Sequence, residues 1–519
     1  MFKNHPKGLI AAALANMGER FGFYIMMAIL TLFISAKFGL DEKTTGYVYS
    51  AFYASIYLLA LVGGIIADRT GKYKLTILVG IIIMSLGYII IAVPTPTPVP
   101  SLPLYLALTC FGLLVIAFGN GLFKGNLQAL VGQMYDDPKY SDRRESGFQI
   151  FYMFINVGGF FAPWIAIGVR NWWLKVNHFD YNAALPELCH KYLAQGDAMA
   201  AGDMEKLTTY ASQVSLGGTQ PTDIATFVGD YLNVFSRGFQ YAFMAAVLMM
   251  VVSLIIFMIN KSKFPDPAAR KNQNADKATP SKEEIKMSAD EIRQRIYALF
   301  AVFGVVIFFW LSFHQNGYSL TYFARDYVNL DVININLGFT TIKGAEIFQC
   351  VNPFFVVSLT PLIMWLFGFL KKKGKEVSTP MKIGIGMGIA SLAYVFLMLF
   401  SLTLPAKDAL SSMSAEALSA IKVTPFVMIG LYFILTVAEL FISPLGLAFV
   451  SKVAPPHLQG LMQGCWLAAT AIGNALLFIG GILYTSVPIW ACWLVFVGAT
   501  GMSMLVMLSM VKWLERVAR

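Results

Sequence analysis

Between Leu9 and Ile34 the chain stays apolar for longer than a bilayer core is thick, and the pattern recurs to its end. A transmembrane helix needs about 20 mostly apolar residues. Twelve stretches qualify: 8–36, 45–67, 74–93, 103–134, 146–168, 236–260, 294–318, 342–368, 380–402, 424–452, 459–484 and 488–513. Charged residues make up 13% of the sequence and hydrophobic residues 57%, whereas soluble domains carry about 25% charged residues. The expected fold class is an all-α membrane protein with 12 transmembrane helices, embedded in a lipid bilayer.

The net charge of +10 invites a nucleic-acid partner, but the positions of the cations argue against one. Lys3 and Lys7 precede span 1; Arg69, Lys72 and Lys74 separate spans 2 and 3; Lys139, Arg143 and Arg144 separate spans 4 and 5. Lys261 and Lys263 follow span 6, Lys371–Lys373 follow span 8, and Lys512, Arg516 and Arg519 close the chain. Every second loop is basic, which is the positive-inside pattern. It places both termini in the cytoplasm and the protein in the cytoplasmic membrane. The apolar stretch of span 1 exceeds the 7–15 residues of a signal-peptide core, so it reads as a retained helix. Cys110, Cys350, Cys465 and Cys492 fall in spans, and Cys189 stands alone in a loop. No disulfide framework or metal-ligand spacing is visible.

The polar stretch 260-NKSKFPDPAARKNQNADKATPSKEEIKMSADEIRQR-295 divides the spans six and six. It reads as a cytoplasmic linker over 261–293, with a surface helix over 281–295, between an N-terminal bundle (1–260) and a C-terminal bundle (294–519). Two such six-helix bundles are the architecture of the major facilitator superfamily. The segment 63-GGIIADRTGKYK-74 resembles that superfamily's loop 2–3 motif. Its glycines would allow close helix approach, and Asp68 and Arg69 would make interhelical charge contacts in a gating role. An insertion over 169–235, between spans 5 and 6, is too polar to span and has a helix-forming composition. It suggests a lid or cap on the external face.

Ionisable residues within spans are functional candidates by default. They are Glu19 and Arg20 in span 1, Lys124 in span 4, His314 in span 7 and Glu439 in span 10. Neighbouring residues on a helix point about 100° apart and do not face each other. Glu19 and Arg20 are therefore expected to seek partners on other helices rather than to neutralise one another. Cations predominate in the first half and a lone carboxylate stands in the second. A cavity between the halves would carry opposite charge on its two walls, which suits a short zwitterion. The competing account makes these charges structural bridges between helices. Gly18 and Gly22 form a small-xxx-small pair, which points to helix packing.

Four ordered stretches carry a closer resemblance: 19-ERFGFY-24, 121-GLFKGNLQALVGQMY-135, 142-DRRESGFQIFYMFINVGGFFAP-163 and 439-ELFISPLGLAFVSKVAPPHLQGLMQGCW-466. Over nearly the whole membrane-embedded length the chain resembles the proton-dependent oligopeptide transporter family. The resemblance implies import of di- and tripeptides by proton symport and alternating access, with no cofactor other than protons, by a monomer. It implies that Arg20 and Lys124 hold the peptide carboxylate and Glu439 its amine, with Asn156 and Asn352 assisting. Tyr24, Tyr57, Trp310 and Trp466 would line side-chain pockets, and Glu19 and Arg20 would join in proton coupling.

The chain departs from the family pattern at three places. Asn16 stands where a glutamate opens the helix 1 motif, and Met27 where an arginine is common. Asn16 and Met27 are eleven residues apart and share a helix face, so an anion and a cation have been lost together. In span 7, His314 takes the place of a glutamate beside Gln315. Histidine titrates near neutral pH, so His314 can replace the lost carboxylate, or it can serve as a neutral hydrogen-bonded group. Two rivals stay open: transport of another small zwitterion or anion, and a facilitator or sensor uncoupled from protons. No nucleophile–base set, metal spacing or phosphate loop suggests an enzyme.

Overall fold

The computed structural model describes residues 5–140, 143–216, 223–265, 288–375, 377–455 and 458–518. Twelve of its helices are long and apolar enough to cross a membrane. The first half contains span 1 (Leu9–Phe38), span 2 (Glu42–Thr70), span 3 (Tyr73–Ala92), span 4 (Leu102–Met134), span 5 (Arg144–Val176) and span 6 (Ile224–Asn260). Span 7 is broken: Ala289–Phe313 is α-helical, His314–Gly317 is a 3₁₀ turn, and Ser319–Tyr327 resumes the helix. Span 8 starts as a 3₁₀ segment, Ala345–Cys350, and continues as Val351–Lys372. Span 9 (Thr379–Ser401) and span 10 (Phe426–Val453) follow. Span 11 is made of Gln459–Ala475 and Phe478–Ser486, and span 12 is Ile489–Val517.

Local chemistry sets several of these boundaries. Span 1 ends on Gly39, whose φ of 65° is left-handed, a conformation that costs glycine nothing. Two residues later the Asp41 side chain accepts from the Thr44 amide at 3.0 Å and caps span 2, as a short acidic side chain does at a helix start. Ser288 and Ser378 do the same for spans 7 and 9.

Spans 1, 5 and 6 pack together, as do spans 2, 3 and 4; in the second half span 9 packs on spans 10 and 12, and span 7 on spans 11 and 12. The halves meet where span 2 lies against span 11 and span 5 against span 8. Span 1 is buried along nearly its whole length. Gly18 and Gly22 lie against the span 6 backbone, where an added Cβ would sit 3.2 Å from the Met249 carbonyl and 3.4 Å from that of Ala246. The pair is a packing contact, as the sequence suggests. Apolar side chains such as Leu86, Trp365 and Leu392 stand exposed on the outside, as lipid-facing positions do.

The insertion differs from the 169–235 expectation in its limits. Spans 5 and 6 continue into it as unbroken helices, to Val176 and from Ile224, and it holds two further helices, Leu185–Gln195 and Ala201–Val214. Polar residues beyond the bilayer do not end a helix, so hydropathy alone set these boundaries short. Its stems are tied together by an isolated bridge between Phe179 and Ser215. The expected surface helix over 281–295 lies outside the described residues up to position 287. From Ala289 onward the chain belongs to the same helix as span 7.

A two-stranded hairpin, Ile335–Asn336 (β1) against Thr341–Ile342 (β2), precedes span 8 on the insertion face, with Ile335 opposite Ile342.

Candidate functional site

The structure overturns the expectation that Glu19 and Arg20 ignore one another. Arg20 Nε donates to Glu19 Oε2 at 2.5 Å and a terminal guanidinium nitrogen to Oε1 at 2.6 Å, a two-pronged pair between adjacent residues. Their Cα–Cβ bonds diverge, but both side chains are long enough to curl back to a common point beside the helix. The fork geometry of guanidinium matches a carboxylate. Asn120 of span 4 adds a third bond, donating to Glu19 Oε1 at 2.8 Å. Both ions are buried, and the Arg20 guanidinium also lies 4.6 Å from the Phe23 ring centroid.

Lys124, one helical turn from Asn120, forms no ion pair among the described residues. Its ammonium lies 4.6 Å from the centroid of the Tyr57 ring, a cation–π contact. Across the halves, Glu439 is held by a neutral group: Asn352 Nδ2 donates to its Oε2 at 2.8 Å and also to Thr436 Oγ1 at 3.0 Å. Tyr24 and Tyr57 each lie within electrostatic reach of both Arg20 and Glu439.

His314 occupies the break in span 7. Its Nδ1 lies 2.5 Å from Asn474 Oδ1 of span 11. Its ring stacks on Trp310 at 4.8 Å and faces Tyr53 of span 2 at 4.6 Å. An amide oxygen accepts, so Nδ1 carries the hydrogen and Nε2 keeps its lone pair. Trp310 Nε1 and Asn474 Nδ2 are buried with no hydrogen-bond partner among the described residues.

Other expected site residues sit differently. Asn156 donates to the carbonyl of Tyr152 on its own helix at 3.0 Å. Trp466 is buried in the second half, its ring against the Phe303 ring and so close to Gly446 that a Cβ there would lie 2.0 Å from it. In the loop 2–3 motif, Asp68 accepts from Tyr73 at the start of span 3, and both Asp68 and Arg69 are exposed. Neither forms an ion pair among the described residues. Of the three glycines there, Gly63 meets the Gly121 carbonyl of span 4, while Gly64 and Gly71 meet nothing within 4 Å. The expected charge contacts are thus replaced by a local bond and one tight helix crossing.

The face that carries the insertion, opposite the termini, is closed at both seams between the halves. At the span 2–span 7 seam, Arg325 contacts Glu42 at 2.6 Å. Tyr318 donates to the Glu42 carbonyl at 2.6 Å, its ring wedged between Gly46 and Gly481. At the span 5–span 8 seam, buried Arg170 pairs with buried Glu346 and donates to the Lys343 carbonyl at 3.0 Å. Asn171 reaches the Thr341 carbonyl at 2.7 Å. The sequence reading missed all of these. Arg170 lay beyond the hydropathy limit of span 5 and Arg325 beyond that of span 7. Glu346 lay inside the 342–368 window, and its charge was the available signal.

A family model described as the POT family matches residues 74–281 and 269–487. The chain belongs to the POT family. Among similar curated proteins, the peptide transporter YePEPT of Yersinia enterocolitica is 29% identical over 501 residues, covering 92% of this chain and 88% of that protein. A di-/tripeptide transporter of Lactococcus lactis is 27% identical, with 92% and 89% covered. A crystal structure of a peptide transporter POT in complex with sulfate shares the fold with a TM-score of 0.71, at 23% identity over 100% of this chain and 96% of that one. This POT-family chain therefore has the major facilitator fold of twelve transmembrane helices, and its curated relatives are transporters.

Proposed function

We propose that the protein imports di- and tripeptides by proton symport and alternating access, as a monomer in the cytoplasmic membrane. Both termini face the cytoplasm and the insertion faces outward. What supports this reading is that the buried charges divide between the halves, Lys124 and the Glu19–Arg20 pair on the first and Glu439 on the second, with Tyr24 and Tyr57 within electrostatic reach of both Arg20 and Glu439. A peptide presents a carboxylate and an ammonium at its two ends. Lys124 takes the carboxylate, and Glu439, steadied by Asn352, takes the ammonium. Asn156, Trp310 and Trp466 act behind this contact by shaping the walls.

The pairing of Glu19 with Arg20 supplies a coupling chemistry. A proton on Glu19 removes its charge and frees the guanidinium for the peptide carboxylate; loss of the proton restores the pair. Proton and peptide then favour the same arrangement, and differential interaction energy is what a ligand needs to shift a conformational equilibrium. His314 adds a second proton acceptor through Nε2, since Nδ1 is already engaged by Asn474. Asp68 and Arg69 act at the cytoplasmic rim.

The test is uptake of labelled dialanine into liposomes. Accumulation only with an inward proton gradient is the expected result. Exchange without gradient-driven accumulation removes the coupling, and absence of saturable dialanine transport removes the substrate class. A structure similar in fold (TM-score 0.69, 20% identity) is of a POT family transporter in complex with 5-aminolevulinic acid. That zwitterion is therefore the first competitor to try if dialanine fails.

A further inference from the structure

The insertion is rooted in the first half and ends on the second. On the first-half side, His190 Nε2 lies 2.7 Å from the Ala36 carbonyl at the end of span 1. The Asn182 amide donates to the Tyr231 hydroxyl of span 6 at 3.1 Å. On the second-half side the contacts fall on the segment between spans 9 and 10. Glu187 Oε2 accepts from Lys407 Nζ at 2.9 Å. Lys206 donates to the Leu410 carbonyl. The Gly202 Cα fits so closely that a Cβ there would lie 2.8 Å from the Ser411 carbonyl.

The same side chains extend the span 2–span 7 seam. Arg325 contacts Glu42 and Asp326 at 2.6 Å and Glu187 at 3.2 Å. Lys407 contacts Glu187, Asp326 and Glu42 at 2.9, 3.0 and 3.4 Å. Lys191 joins Glu187 to Asp203, both at 3.2 Å, and Lys206 reaches Asp203 at 2.8 Å. Arg325, Lys407, Lys191 and Lys206 thus alternate with Glu42, Asp326, Glu187 and Asp203, four charges of each sign. Networks of this kind, partly buried, are worth more than isolated surface pairs.

We propose that the insertion is a clasp that gates transport, with Glu187 as its gating residue and the 402–425 segment as its docking surface. The halves must separate on this face for the central site to open there. The insertion is carried by the first half, so that movement lifts it from Lys407, Leu410 and Ser411. This inference rests on the transporter reading, because a clasp matters only where the halves move.

A reversible bridge tests it in the full-length protein. Glu187→Cys and Lys407→Cys together, joined by a short bis-methanethiosulfonate reagent, should abolish dialanine uptake, and reductant should restore it. Either singly substituted protein, which keeps the five native cysteines, should be unaffected by the reagent. Uptake by the bridged protein at the unbridged rate would overturn the clasp, as would failure of the bridge to form. A second measurement does not depend on substrate: Glu187→Gln should raise amide hydrogen exchange severalfold in both 185–214 and 402–425. Unchanged exchange in those segments overturns the proposal. Absence of dialanine uptake by the unaltered protein would instead sink the substrate reading, with exchange still deciding the clasp.

Discussion

Arg20 closes two hydrogen bonds, at 2.5 and 2.6 Å, on the carboxylate of its own neighbour Glu19. A buried ion pair that loses one partner leaves an uncompensated charge, at a cost of about 3–5 kcal/mol. Glu19→Gln should therefore lower the thermal midpoint measured by intrinsic fluorescence and abolish gradient-driven uptake. The double variant Glu19→Gln/Arg20→Gln should regain much of the midpoint but no uptake. A double variant no more stable than the single one would show that the pair is not a closed unit.

Glu439 forms no ion pair among the described residues and is held by Asn352. Glu439→Gln keeps an acceptor of similar shape but removes the charge. A hydrogen bond to a charged group contributes about 1.5–3 kcal/mol, so the affinity for dialanine should fall roughly ten- to hundredfold in a competition assay. Asn352→Ala should cost less, because the carboxylate remains. Equal loss in the two variants would assign the contact to Asn352 instead.

The contact of His314 with Asn474 gives a test that distinguishes binding from coupling. His314→Gln retains a side chain that can bond Asn474 and cannot titrate. Counterflow of dialanine should persist in this variant while gradient-driven accumulation falls several-fold. Unchanged accumulation would remove His314 from proton movement and leave Glu19 as the coupling group.

The Glu187–Lys407 contact should not itself respond to pH. Burial tends to raise the Glu187 carboxyl, but Lys407, Arg325 and Lys191 outweigh it and hold the group well below the usual carboxylate range. Its contribution is present above the unfolded value near 4.3 and is lost only as pH falls through the lower folded value. Burial lowers Lys407, and Asp326, Glu187 and Glu42 more than reverse that. Its contribution is present below about 10.4 and is lost only above the raised folded value. Between about pH 5.5 and 8, hydrogen exchange of 402–425, corrected for its intrinsic rate, should stay flat. A steep rise on acidification would move coupling from the membrane centre to the insertion face.

Close packing gives a prediction free of charge. A Cβ on Gly446 would lie 2.0 Å from the Trp466 ring, and overpacking of a buried contact costs about 1–3 kcal/mol. Gly446→Ala should lower the thermal midpoint by several degrees and shift tryptophan emission. An unchanged spectrum and midpoint would mean that the ring has room to move.

Hydropathy runs along the chain, so the twelve spans and the intramembrane positions of Glu19, Arg20, Lys124, His314 and Glu439 were legible in the sequence. So was the family, because its motifs are local. The sequence could not show which charges meet. Arg170 and Glu346 are 176 positions apart, Arg325 and Glu42 283 apart, and nothing in either neighbourhood names its partner. Even the adjacent pair Glu19–Arg20 was misjudged, because helical spacing fixes where Cβ points and says little about where a long side chain ends. The insertion shows the same division. Its composition determined that it would be helical and outside the bilayer. Only the packing of the two halves put Glu187 against Lys407, because the two residues are 220 positions apart and belong to different halves.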